Sequence, residues 1–230
     1  MRLRYYIGVF AALLFTACSV EVDLDESSEV VLKGVNAHQY EKVFFANGQT
    51  GFGVVFDKSG KADIISGTYD LLYIASDLDL IKLNDYEKGS FDEAYIKYKA
   101  TSYAPEELSH IYKFYKAGIT VPGTKEVNIS PSQLTQEYTV KYNGTDTNAP
   151  AQLKGTFRGF PSMIGAMSGE LSVSSNAAYN FSIPFTLDKT GTISLILPKM
   201  STLPPTFCVY LDYDKKGHKV TLNSKTIVIE

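Results

Sequence analysis

The 230-residue chain has no tryptophan, two cysteines and three histidines. Two cysteines exclude a disulfide-rich scaffold and a multi-cysteine zinc site. With 22 basic residues against 25 acidic ones, the chain lacks the basic excess that neutralises nucleic-acid phosphates, so we expect no nucleic-acid partner. Aromatic residues are plentiful instead, with 16 tyrosines and 13 phenylalanines.

Residue patterns that support catalysis are also scarce. No G-x-S-x-G, H-E-x-x-H or glycine-rich phosphate loop is present. The segment SDLDLIKLND contains three aspartates, Asp77, Asp79 and Asp85. It lacks the glycine and the closing glutamate of a calcium loop. The histidines lie far apart, at His38, His110 and His218. We therefore expect no enzyme activity, no cofactor and no bound metal.

The first residues have the three parts of an export signal. Arg2 and Arg4 precede a 13-residue uncharged stretch, Tyr5 to Ala17, which ends at Cys18. At about 1.5 Å per residue this stretch reaches roughly 20 Å, short of the ~30 Å hydrocarbon core of a bilayer. Residues 1–17 are therefore predicted to be a signal peptide. The small residues before Cys18 resemble the lipobox of bacterial lipoproteins, which implies cleavage before Cys18 and its lipidation. An ordinary secretory signal is the alternative.

Residues 18–29 are predicted to form an acidic tether, because they offer too little apolar surface to fold. After Cys18, no basic residue precedes Lys33. Acidic residues soon after a lipidated cysteine resemble the surface-export signal of Bacteroidetes lipoproteins. That resemblance implies an outer-membrane, lipid-anchored protein exposed at the cell surface. The residues of the implied signal are Glu21, Asp23, Asp25 and Glu26.

From Val30 onward, apolar residues alternate with polar ones in short runs rich in Val, Ile, Thr, Tyr and Phe, which predicts an all-β fold. The strand Gly67–Ile74 is apolar on both faces by its end, so it is expected to be central in its sheet. Pro105–Gly118 fits both a short helix and a strand; we favour a helical turn that runs into extended chain. The turn residues 121–124 suggest a domain boundary.

The predicted organisation is two tandem β-sandwich domains, residues 30–122 and 123–230. Cys208, in the apolar run TFCVYL, is expected to be buried. Most tyrosines alternate with charged residues in strands, which favours packing between neighbouring strands over a sugar-binding platform.

Three stretches resemble the fimbrillin-associated anchor and pilin lipoproteins of Bacteroidetes, the family that builds type V pili. They are GTYDLLYI (67–74), VNISPSQLTQEYTVKY (127–142) and GAMSGELSVSS (165–175), in addition to the Cys18 lipobox and the acidic tether. The resemblance implies two transthyretin-like sandwiches, no enzyme activity, and other fimbrial subunits as partners.

Shaft pilins of that family lose their first strand to an arginine-specific protease. After residue 17 this chain has one arginine, Arg158, in its second half. The resemblance therefore implies an anchor or accessory subunit, unless a protease of another specificity cuts at Lys33 or Lys42.

Pairing with other subunits by β-strand addition is expected, since a sheet edge exposes unpaired backbone groups. The candidate donor strand is Lys225, Thr226, Ile227, Val228 and Ile229, whose deletion is then expected to leave a folded chain. We favour the alternative that this strand closes the second sandwich. A second functional hypothesis is a surface glycan-binding lipoprotein beside an outer-membrane transporter.

Overall fold

The computed structural model describes residues 26–172, 181–188 and 191–230, and these form strands, loops and two short 3₁₀ turns. The 3₁₀ turns are Tyr86–Lys88 and Pro105–Glu107. The strands are β1 (Ser27–Lys33), β2 (Tyr40–Ala46), β3 (Gly51–Val54), β4 (Lys61–Ile65), β5 (Gly67–Ser76), β6 (Ile81–Asn84), β7 (Tyr95–Tyr98), β8 (Ile111–Val121), β9 (Glu126–Asn128), β10 (Ser132–Gln133), β11 (Thr135–Tyr142), β12 (Gln152–Arg158), β13 (Met163–Gly165), β14 (Leu171–Ser172), β15 (Ser182–Asp188), β16 (Thr192–Pro198), β17 (Cys208–Leu211), β18 (Gly217–His218), β19 (Val220–Asn223) and β20 (Thr226–Ile229). Within these ranges no helix has the length and apolar character needed to cross a membrane.

Two sheets form the first sandwich. Sheet A has the strand order β4-β1-β9, and sheet B has the order β10-β8-β5-β2-β3. Val30 and Ile64 of sheet A pack in one apolar core with Phe45 and Tyr73 of sheet B. The alternation of strand side chains explains this core, since residues two apart share a face.

Sheet B is covered on its other face as well. Phe44, Leu72 and Ile74 belong to a second core that includes Ile81 and Ile96 of sheet C, whose order is β14-β13-β7-β6. β5 is the middle strand of sheet B, and every residue from Leu71 to Ser76 is buried. The expectation that this strand is central is confirmed.

The second sandwich consists of sheet D, with the order β15-β12-β17-β18, and sheet E, with the order β16-β11-β20-β19. Phe157 and Val209 of sheet D share the second core with Tyr138 and Ile227 of sheet E. The all-β class with two sandwiches is therefore confirmed.

The two halves of the chain are joined by pairing and by side chains. In sheet C, β7 of the first half pairs with β13 of the second. The ring of Tyr98 stacks on Phe181 with 4.6 Å between ring centroids. Lys113 Nζ donates a hydrogen bond to the carbonyl oxygen of Ala166 at 2.7 Å, and burial lowers the pKa of this amine. A single core therefore extends across the junction.

Two of the predicted segment bounds differ from those in the structure. β1 begins at Ser27, so the last residues of the tether predicted for 18–29 belong to a strand. β9 and β10 follow the predicted boundary at residue 122, yet they pair with β1 and β8 of the first sandwich. The turn at 121–124 connects strands of one sandwich, and the chain enters the second sandwich at β11.

Residues 105–118 form a 3₁₀ turn, Pro105–Glu107, and then most of strand β8, as favoured from the sequence. Strands β2 and β3 pair as a hairpin through residues 47–50. The turn Asp57–Gly60 carries the chain from sheet B to sheet A, where β4 pairs with β1.

Candidate functional site

The candidate donor strand, β20, lies inside sheet E. It pairs in parallel with β11, where Ile227 faces Val140, and antiparallel with β19, where Ile227 faces Leu222. Ile227 and Ile229 are fully buried in the core. Both edges of β20 are thus occupied within the chain, in agreement with the alternative that this strand closes the second sandwich. In this arrangement Lys225–Ile229 is not a free donor.

Of the residues predicted for lipidation and surface export, only Glu26 lies within the described part of the chain. Cys18, Glu21, Asp23 and Asp25 lie outside the described residues. Glu26 is the first described residue, and its carbonyl oxygen accepts a hydrogen bond from the Ser66 N–H at 2.8 Å. The pairing of β1 with β4 begins at the next residue and fixes the point from which a tether would leave the fold.

Edge strand β3 leaves one side of sheet B open. The Asn47 N–H donates to the carbonyl oxygen of Thr50 at 3.1 Å, which makes these two residues a hydrogen-bonded pair. In an antiparallel ladder such pairs alternate with pairs whose backbone groups point outward. With the observed register, the backbone groups of Gly51, Gly53 and Val55 point away from β2.

The beginning of this edge is covered and its end is not. The turn Tyr86–Lys88 lies against Gly51, where any Cβ would overlap the carbonyl oxygen of Tyr86. Beyond it, the Val55 side chain is 91% exposed. Its N–H and C=O have no hydrogen-bond partner within the described ranges. The open edge is therefore Gly53–Val55, a name that we keep below.

A groove of about 340 Å³ runs beside the open edge. It lies between β3 and β6, and its apolar lining includes Phe44, Leu83 and Tyr86. Gly53 has no side chain to cover the ring of Phe44, which lies 3.6 Å from the position that a Cβ would take. Val55 also lines two further hollows, one of about 380 Å³ and one of about 210 Å³.

Two lysines give the groove a positive lining. Lys42 and Lys82 both line it, both are exposed, and its lining contains no acidic residue. Neither lysine is in an ion pair with any residue that the structure describes. Burial, with the nearby Asp79 charge and Tyr86, raises the pKa of Tyr40 to about 12, so this lining phenol stays neutral and can donate a hydrogen bond.

The loop that lines the hollow of about 210 Å³ is held by one carboxylate. Glu41 accepts hydrogen bonds from the backbone N–H groups of Asn36 at 2.5 Å, Ala37 at 2.7 Å and His38 at 2.8 Å. His38 in turn pairs with Asp77 at 2.7 Å. The loop is therefore ordered by the fold, and the open edge lies between ordered elements.

The histidines and Cys208 have structural surroundings. His110 contacts Thr135 at 3.2 Å, and His218 pairs with Asp214 at 3.0 Å. In the part of the chain that the structure describes, no group of three or more His, Cys, Asp or Glu residues could hold a metal. Cys208 is free and half-buried, more accessible than expected, because Val209 and Leu211 take the inward positions of β17.

The tyrosines mostly pack inside the molecule. Fully or largely buried are Tyr69, Tyr73, Tyr98, Tyr138 and Tyr142. Among the described tyrosines, Tyr210 alone is classed as exposed, at 42%, and the Arg158 guanidinium lies 5.5 Å from its ring centroid. The outward-facing cluster of tyrosines that a glycan platform needs is not found in these ranges.

The sequence does not single out the open edge. Its one signal in the sequence is the spacing of Gly51, Gly53 and Val55. The two glycines leave one face of the strand without side chains, and Val55 then places an apolar side chain on that face. Which edge of which sheet stays unpaired depends on strands distant in the sequence, so this signal alone does not identify an edge.

Comparison with known proteins finds similarity in fold. No protein-family profile matches the sequence, and no curated protein matches it. Among solved structures, a candidate adhesin from Bacteroides ovatus has a TM-score of 0.55 and 13% identity, over 89% of this chain and 86% of that one. A candidate polysaccharide-binding protein from Bacteroides thetaiotaomicron has a TM-score of 0.53 and 10% identity, over 83% and 78%.

The fimbrial anchor protein Mfa2 from Porphyromonas gingivalis has a TM-score of 0.50 and 7% identity, over 84% of this chain and 80% of that one. Identities this low establish a shared fold and no more. At that level the resemblance to Bacteroidetes fimbrial proteins is confirmed.

Proposed function

We propose that this protein is a lipid-anchored, cell-surface fimbrial subunit of the anchor or accessory kind, with a structural role. The observation that carries the proposal is the two-sandwich fold, which it shares with a candidate adhesin and a fimbrial anchor protein over more than four-fifths of its length. Those neighbours are adhesin and fimbrial proteins and not enzymes, which supports a role without catalysis.

The proposed attachment is through lipid on Cys18 to the outer membrane. The uncharged stretch that ends at Cys18 and the acidic residues that follow support it. Glu21, Asp23, Asp25 and Glu26 would direct the protein to the outer surface. More than one acyl chain gives stable anchoring, where a single chain binds a bilayer only marginally.

The proposed contact with other fimbrial subunits is β-strand addition. Donation of Lys225–Ile229 would require β20 to leave its place between β11 and β19, and would expose Ile227 and Ile229. We therefore favour the role of acceptor, in which a sheet edge of this protein receives a strand from another subunit.

The lipid anchor is tested with two matched cysteine variants in the native bacterium. Cys18→Ala is expected to release the protein from the outer-membrane fraction and to leave fimbriae short-lived or detached. Cys208→Ala, which removes the other cysteine, is expected to change neither. Fractionation and electron microscopy of fimbriae per cell provide the two measurements. Normal fimbriae together with normal membrane attachment in the Cys18→Ala variant would contradict the proposal.

The export signal is tested by replacement of its four acidic residues with Asn or Gln. We expect the lipoprotein to remain in the outer membrane but to become protected from protease added to intact cells. Replacement of Glu87, Glu93 and Glu106, exposed acidic residues elsewhere, is the control. Unchanged protease sensitivity in the first variant would contradict the assignment of the signal.

A further inference from the structure

We propose that the open edge Gly53–Val55 accepts an extended segment of a partner protein as an added strand of sheet B. The segment would place an apolar side chain over Gly53 and an acidic side chain two positions away, near Lys42 and Lys82. This inference rests on the proposed structural role and gives it a location and a partner chemistry.

The backbone of the open edge supplies the first part of the argument. Val55 has a free N–H and a free C=O, and the register turns the same groups of Gly53 outward. An extended segment satisfies such groups with ladder hydrogen bonds, whatever its side chains. An exposed apolar edge residue such as Val55, 91% exposed, gains from being covered by that strand.

The groove sets the first side-chain preference. An added strand continues the pleat of β3, so every second side chain points to the face that carries Phe44. Over Gly53 that face has no side chain of its own, and the groove there is bounded by Phe44, Leu83 and Tyr86. An apolar side chain of the partner would fill this space.

The charges set the second preference. Continued by one residue, the β2–β3 register puts Lys42 opposite Val55, and Lys82 comes from the facing wall. The two side chains have no acidic partner of their own within the described residues and line one groove. A carboxylate on the partner, two residues from the apolar position, would meet both. Like-charged partners would be disfavoured at the same place.

The test is peptide binding to the full-length chain. The probe is a labelled peptide of about ten residues, the length of a long strand, in which Thr alternates with Val and one Glu follows two positions after a central Leu. We expect saturable binding, amide NMR shifts at Gly53 and Val55, and slower hydrogen exchange of the Val55 amide. Absence of binding overturns the inference.

Backbone pairing is distinguished from simple groove filling by a second probe. The same peptide with N-methyl groups on alternate residues cannot donate backbone hydrogen bonds from the edge that would face sheet B. We expect its affinity to fall about tenfold or more, since each lost hydrogen bond costs roughly 1 kcal/mol. This comparison needs no variant of the protein, so a folding defect cannot mimic it. Equal affinities for the two peptides would overturn strand addition.

The charge preference is tested by Lys42→Glu with Lys82→Glu. The double variant is expected to bind the Glu peptide about fivefold more weakly and a Lys peptide more strongly, because exposed pairs contribute a few tenths to 1 kcal/mol each. Lys58→Glu, the same kind of charge reversal at a single lysine of the adjacent exposed turn, is the control. Binding of a neutral oligosaccharide in competition with the peptide would instead identify the groove as a glycan site and overturn the inference.

The two proposals fail separately. If Cys18→Ala detaches fimbriae but no peptide binds, the anchor role stands and the open edge does not. If the peptide binds as expected but fimbriae are normal without the whole protein, strand addition occurs at this edge and the fimbrial role is wrong.

Discussion

Strands β20 and β3 belong to different sandwiches and differ in how far their backbone groups are paired within the chain. β20 has a neighbour on each side and two fully buried isoleucines. β3 has β2 on one side, and beyond its covered start no other strand of the described residues pairs with it. Both segments place an apolar residue at every second position, so they differ in their position within a sheet. Alternation identifies a strand, whereas availability to a partner depends on its neighbours.

The largest expected effect comes from removal of β20. Deletion of residues 225–230 separates β11 from β19 and opens the second core, so we expect loss of the folded second sandwich, contrary to the expectation from sequence. The milder change Ile227→Ala should lower the free energy of unfolding by about 2–5 kcal/mol. Urea unfolding followed by circular dichroism measures both effects.

Val55→Ala, one residue beyond β3, is the matched change and should alter the free energy of unfolding by no more than about 0.5 kcal/mol, because Val55 is exposed. A truncated chain that kept native circular dichroism and a native unfolding midpoint would restore the donor role of Lys225–Ile229.

An intermediate effect is expected from two glycines on the same edge. Gly51→Ala would push a Cβ into the Tyr86 carbonyl, at a cost of about 1–3 kcal/mol. Gly53→Ala places its Cβ 3.6 Å from the Phe44 ring, an ordinary contact, and should be nearly neutral. Thermal unfolding of the two variants provides the comparison. Equal losses would mean that the turn Tyr86–Lys88 does not cover the beginning of the edge.

The smallest effect concerns pH and the turn that follows the open edge. Hydrogen bonds from the Lys61 and Ser59 backbone, and from the Ser59 hydroxyl, lower the pKa of Asp57 below 3.8. Since the folded pKa is the lower one, the stabilising effect is complete above pH 3.8 and is lost as the pH falls below it. Amide hydrogen exchange at Ser59 and Lys61 should become faster only below pH 3.8. Asp57→Asn should remove this pH dependence. Exchange that is independent of pH after correction for intrinsic rates would contradict this role.

Local sequence patterns predicted much of the fold, and the exceptions have a common cause. The burial of β5 on both faces and the 3₁₀ turn before β8 each follow from neighbouring residues. The pairing of β1 with β9, and of β7 with β13, joins segments far apart in the chain. Register between such segments depends on packing of the whole domain, so no short pattern contains it.

The candidate site likewise combines residues that a local pattern identifies with residues that only the folded chain brings together. Cys18 and the acidic residues after it are read directly from the sequence. Val55 looks like any strand valine, and its exposure becomes evident only when β2 is seen to occupy one side of β3 alone. Similarly, the lysines of the groove are distant from each other in sequence and converge because β2 and β6 lie on opposite walls.

The first and last strands of the described fold, β1 and β20, each lie between two neighbours in their sheets. Tension applied at the two ends would therefore drag each strand along its own axis. The hydrogen bonds to both neighbours run across that axis and would be sheared together, since no free edge lets them open one at a time. A protein fastened to a membrane at one end would resist a steady pull on those strands, while the open edge of sheet B, which contains neither strand, would be free for assembly.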